Sequence, residues 1–105
     1  MKIAPVALLV LMSMSIPAFA DQGKHNYKPP HGYVLDEKTA IAIAIAVWSP
    51  IYGEKHIQEE KPFHATIQNG VWFVHGSLPE GFVGGVAEAE ISKDDGCILR
   101  VSHGK

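Results

Sequence analysis

The sequence predicts an α+β domain with N-terminal helices packed on one face of a four-stranded antiparallel sheet. Three observations predict it. A capped Ala/Ile segment spans 36–48, an Asn69-Gly70 pair separates two alternating runs, and Asp94-Asp95-Gly96 separates two more.

Before that domain, residues 1–20 carry a single charge, Lys2, followed by an apolar run through Met14, then Pro17 and Ala18-Phe19-Ala20. A positive start, a short apolar stretch and an A-x-A site form the pattern of a secretory signal peptide. The run is too short to span a bilayer, which takes about 20 apolar residues. Cleavage is expected after Ala20, with export to the periplasm and no stable membrane anchor afterwards. Residues 21–32 contain Pro29-Pro30 and no apolar period, and read as a flexible leader. The domain occupies 33–105.

Asp36 is the expected helix N-cap, with Glu37 in the first turn. The Ala40–Trp48 run is apolar throughout, so its Ala/Ile alternation does not separate two faces; the cap and four alanines favour a helix. Its inward stripe is expected at Ile41, Ala44, Ile45 and Trp48, with Pro50 ending or kinking the helix. Gly53–Glu60 reads as a second, short, solvated helix stopped by Pro62.

Asn-Gly between alternating runs signals a type I′ hairpin and sets its register: Gln68 faces Val71, Ile67 Trp72, Thr66 Phe73, Ala65 Val74 and His64 His75. Phe63, Ala65, Ile67, Trp72 and Val74 then form an apolar face that meets the helices. A third strand is expected from Phe82 to Ser92, bent at Gly84-Gly85. A three-residue turn at 94–96 pairs Lys93 with Cys97, Ile91 with Leu99, Glu90 with Arg100 and Ala89 with Val101. Cys97 accordingly reads as a half-buried core residue.

The composition limits the function. With 9 basic and 11 acidic residues the formal charge is −2, which argues against a nucleic-acid partner. One cysteine excludes an internal disulfide framework and any Cys-rich zinc site. His64 and His75 are opposed across the hairpin at metal-sharing distance, but this pairing supplies no third ligand, and two half-exposed imidazoles are the plainer account. His25, His31, His56 and His103 fit no metal-binding spacing. Glu88 and Glu90 share a strand face, where Arg100 opposite Glu90 makes a surface ion pair the plainer reading. No pattern indicates catalytic, cofactor-binding or metal-ligating residues, and no cofactor is expected. What remains is surface: Val71 and Phe73 lie on the face away from the helices, beside the two histidines. Such a face, with an open C-terminal strand edge, suits a protein partner. The leader or a sister subunit in a homodimer would be the alternative cover.

The residues also carry a resemblance. Trp48-Ser49-Pro50-Ile51-Tyr52-Gly53, Lys61-Pro62-Phe63, Gly70-Val71-Trp72, Gly76-Ser77-Leu78-Pro79, Gly84-Gly85-Val86-Ala87 and His103-Gly104-Lys105 together resemble the NTF2-fold immunity proteins, small bacterial proteins that protect a cell from toxins delivered between neighbours. The likeness covers residues 33–105. It implies an NTF2/cystatin-like fold, inhibition by binding rather than catalysis, and a cognate toxin domain as partner. No catalytic residue carries over, and Pro50, Tyr52, Gly53, Trp72, Gly84, Gly85 and Gly104 have structural roles in this reading. An exported member is expected to meet its toxin in the periplasm, with His64, Phe73, His75, Glu88 and Glu90 as the partner-binding residues. The alternative is a small-molecule-binding or isomerase-like protein on the same scaffold. That alternative needs an enclosed pocket with a buried acid or histidine, and no pattern here turns an acid inward.

Overall fold

The computed structural model describes residues 25–104, so the expected signal peptide lies outside the described residues. The architecture is the expected one: helices α1 (Glu37–Tyr52) and α2 (Glu54–Gln58) pack on one face of a four-stranded antiparallel meander. Its strands are β1 (His64–Gln68), β2 (Val71–His75), β3 (Ala87–Ser92) and β4 (Ile98–His103), in spatial order β1-β2-β3-β4. Among the described residues no helix is long and apolar enough to cross a membrane.

Helix α1 begins where the cap predicts. Asp36 is extended and its carboxylate accepts the Thr39 backbone N–H at 2.8 Å, which holds the Asp36 carboxyl below its usual range. A folded-state pKa below the unfolded value of about 3.9 stabilises the protein above that pH, and the contribution disappears as pH falls through the folded value. Asp36→Ala should therefore lower the melting temperature at neutral pH, and the deficit should shrink on acidification below about pH 3.9. A deficit of constant size across that range would refute the assignment.

The buried stripe of α1 is Ala40, Ala44 and Trp48, with Ile41 and Ile45 only partly covered. This is a rotation toward the small residues relative to the expected stripe, because alanines allow the helix to lie close on the sheet while Trp48 fills the gap. The helix does not stop at Pro50 but runs two residues further, to Tyr52. Gly53, at φ 102°, ends it by donating its N–H to the Ser49 carbonyl at 2.9 Å. Helix α2 is not simply a solvated helix, since Ile57 is fully buried and Glu60 just beyond it is 5% exposed.

The first hairpin has the expected register from Gln68↔Val71 to His64↔His75, with Asn69 at φ 52° and Gly70 at φ 77°. Ala65, Trp72 and Val74 enter the core, whereas Ile67 is 45% exposed. Ile67 lies near the hairpin tip, away from the main helix contact.

Three expectations on the second half are corrected. Strand β3 begins at Ala87 rather than Phe82. Gly81 and Gly84 take positive φ and Phe82 N–H bonds the Pro79 carbonyl, so 76–86 forms a loop in which Val83 is 95% exposed. The β3–β4 connection spans 93–96, one residue longer than expected: Ser92 N–H reaches the Cys97 carbonyl, and Gly96 N–H the Ser92 carbonyl. A bulge absorbs the difference. Ile91 pairs with Ile98 instead of Leu99, while Glu90↔Arg100 and Ala89↔Val101 are as expected. Cys97 is consequently exposed rather than half-buried in the core. Helix α1 packs across β1, β2 and β3, so Ile98 and Leu99 on the outermost strand also stay exposed.

The core joins Val34, the alanine stripe, Trp48, Ile57, Trp72, Val74, Ala87, Ala89 and Ile91. Both tryptophans are anchored at the indole N–H: Trp48 donates to the Glu88 carbonyl at 3.1 Å, and Trp72 to the Val34 carbonyl at 2.8 Å. The chain before α1 lies along the β3–β4 turn. Tyr33 and Val34 N–H groups bond the Asp94 and Lys93 carbonyls, and Lys28 pairs with Asp94 at 2.8 Å.

Candidate functional site

Two sites emerge, on opposite faces of the sheet. On the outer face, the register sets His64, His75, Glu88 and Ser102 in one row and Thr66, Phe73, Glu90 and Arg100 in the next. All five residues expected to bind a partner are therefore brought together. The His64 and His75 rings lie 5.2 Å apart, and His75 Nδ1–H donates to the Gly76 carbonyl at 2.9 Å. Arg100 holds Glu90 through Nε at 2.7 Å and Glu88 through Nη2 at 2.8 Å, with Nη1 on the Ser102 hydroxyl at 2.9 Å. The paired carboxylates are thus tied to one guanidinium, whose pKa is raised by Glu90 and Glu88. Between Phe73 and Arg100 the surface dips into a shallow hollow of about 230 Å³. The patch offers an aromatic, two imidazoles and a half-exposed ion-pair network, a mixed character typical of protein interfaces.

The second site lies on the helix side, at the corner where β2 ends, β3 begins and β4 ends. Sequence reasoning missed it. Pairing of Ala87 with His103 turns the His103 ring toward the helices, where it meets Tyr52 at 5.1 Å and His56 at 5.2 Å between ring centres. Glu60 is buried among these groups. Its Oε1 accepts the Ala87 backbone N–H at 2.8 Å, and its Oε2 lies 2.7 Å from His103 Nε2 and 3.4 Å from His56 Nε2. His103 Nδ1–H donates to the Gly104 carbonyl at 2.7 Å. That carbonyl, with the Glu60 carboxylate, raises the His103 pKa against the opposing effect of burial.

An inward-facing acid therefore exists, contrary to the sequence expectation, and two histidines outside any known motif converge on it. One signal was available: His56 and Glu60 are four apart, the spacing that sets two side chains on one helix face. His103 lies 43 residues further on, and only the sheet brings it there. The cluster opens into a cleft of about 580 Å³ between α2 and the 78–85 loop. That volume falls within the usual range for small-molecule sites, about 300–1,000 Å³.

Gly76 closes the corner from below. A methyl group there would sit 2.8 Å from Glu60 Cβ, with no positive φ involved, so the obstacle is purely steric. Gly76→Ala should push the carboxylate away from Ala87 and cost about 1–3 kcal/mol, the usual penalty for overpacking. Urea unfolding measures this, and an unchanged midpoint would show that the Glu60 side chain yields freely.

Comparison with known proteins agrees with this architecture. Residues 39–105 match the family model described as NTF2 fold immunity protein. The chain is 40% identical over 73 residues to the uncharacterized protein YbbC of Escherichia coli (strain K12), covering 69% of this chain and 60% of that protein. It is 32% identical over 88 residues to the uncharacterized protein YhhH of the same organism, covering 83% of this chain and 67% of that one. It thus spans about three fifths to two thirds of the length of these relatives. No solved structure matches it. With its helix-on-meander fold and a family match over most of the chain, this protein belongs to the NTF2 fold immunity protein family.

Proposed function

We propose that this protein is exported to the periplasm and neutralises a toxin domain there, by binding and without catalysis. Membership of an immunity family supports the toxin-neutralising role. The observation that carries the choice of surface is the continuous outer-face patch of His64, Phe73, His75, Glu88 and Glu90. The N-terminal pattern of Lys2, the apolar run and Ala18-Phe19-Ala20 supports export. A toxin that attacks cell wall or membrane fits that compartment.

The test is co-expression of the full chain with a candidate toxin domain directed to the periplasm, combined with capture of that toxin from a periplasmic extract. Growth rescue with capture supports the reading; rescue by a chain confined to the cytoplasm would overturn the periplasmic part. A basic toxin surface would be steered by Glu88 and Glu90, which outnumber the one guanidinium that ties them. The double change Glu88→Lys and Glu90→Lys should then slow association by about tenfold and flatten its salt dependence. An unchanged association rate in stopped-flow mixing would exclude this face.

A second reading, a small-molecule binder, is favoured by one observation: buried Glu60 at the cleft between α2 and the 78–85 loop. A small molecule that raises the melting temperature and is lost on Glu60→Gln would favour it over toxin binding.

A further inference from the structure

The corner cluster has a geometry that hydrogen bonding alone accounts for poorly. His103 uses Nδ1–H on the Gly104 carbonyl, and Glu60 uses Oε1 on the Ala87 N–H. Each therefore has one remaining ligand atom, Nε2 and Oε2, which touch each other at 2.7 Å and both face His56 Nε2. The three atoms stand 2.7, 3.2 and 3.4 Å apart. Two imidazole nitrogens at 3.2 Å satisfy each other only if one is protonated and the other is not, while both also compete for one carboxylate oxygen.

A divalent ion resolves this competition, because all three atoms then offer lone pairs to a common centre. Zinc bonds nitrogen and carboxylate oxygen at about 2.0–2.2 Å, which spaces tetrahedral ligands about 3.3 Å apart. Two of the three separations match that edge, and the third needs to widen by about half an ångström. The surroundings fit as well. A ligating histidine characteristically donates its other N–H to a carbonyl or carboxylate, as His103 does to Gly104, and a ligating carboxylate is itself held, as Glu60 is by Ala87. All three residues line the cleft, so a fourth position faces open space.

We propose that His56 Nε2, Glu60 Oε2 and His103 Nε2 form a zinc-type site for one divalent ion, with its fourth position open to the cleft. The ion joins the α2 segment to the last strand across 43 residues of chain. This assignment is independent of the toxin reading, since it concerns the opposite face of the sheet.

The test is calorimetric titration of ZnCl2 into the protein purified from its exporting cells and stripped with EDTA, with Co2+ absorption as a second readout. The expected result is one ion per chain and a tetrahedral cobalt spectrum. His56→Gln is the decisive variant because the His56 side chain is half-exposed, so its replacement opens no cavity in the core. It should weaken binding by more than about 100-fold, exceeding the loss usual for groups that merely support a ligand. The double variant His64→Gln, His75→Gln on the outer face should bind as the parent does. Absence of stoichiometric binding, retention of full affinity in His56→Gln, or loss of affinity in the outer-face variant would each overturn the assignment.

Discussion

Replacing Trp48 with alanine is expected to remove about 3–5 kcal/mol of stability, the range for deleting a buried aromatic without collapse of the space. The indole is fully buried, tilted against Phe63 at 5.8 Å between ring centres, and its N–H is bonded to the Glu88 carbonyl. A domain of this size has in total roughly 4–12 kcal/mol. The variant should therefore sit close to unfolding at 37 °C. The alanine stripe makes this loss hard to repair, since Ala40 and Ala44 have no longer side chains to swing into the void. Trp48→Phe should cost less, because it keeps most of the volume, although it loses the hydrogen bond and part of the ring contact. Urea denaturation of the three proteins decides it. A loss below about 1 kcal/mol for the alanine variant would mean that Trp48 is not the keystone of the helix–sheet contact.

Removal of the Glu60 carboxylate is the second large effect. Glu60→Ala strands the Ala87 N–H, which is in a fully buried residue, and takes the acceptor away from His103. An unsatisfied buried donor costs about 1–3 kcal/mol, and the vacated space adds to it, so a total of about 2–4 kcal/mol is expected in metal-free buffer. Glu60→Gln keeps an oxygen for Ala87 at nearly the same volume and should cost clearly less. Equal losses in the two variants would show that charge rather than the Ala87 bond stabilises the corner. A stabilised Glu60→Ala protein would mean that burying the acid is a net cost tolerated for the sake of what it binds.

The two tests bear on different parts of the molecule, and so does the legibility of its sequence. The first hairpin was readable to the residue because Asn69-Gly70 permits only one tight turn, and a side-chain period of two then dictates every facing pair. The helix start was readable because Asp36 supplies an acceptor where α1 has unpaired N–H groups. The second hairpin was readable only in part. Asp94-Asp95-Gly96 marked the turn, but whether the connection takes three residues or four depends on how Ser92 and Cys97 bond, and the bulge at Leu99 conceals the difference beyond Arg100.

Sequence by itself determined the α+β class, the helix cap, the hairpin register and the gathering of His64, Phe73, His75, Glu88 and Glu90 on one face. Each follows from local rules: capping, turn chemistry and alternation. Tertiary structure alone decided that Glu60 turns inward, that Cys97 turns outward and that His103 meets His56. Those outcomes depend on which strands the helices cover and on where the end of β4 meets the α2 segment. No local period records that, because residues 43 positions apart become neighbours only when the sheet has closed the corner between them.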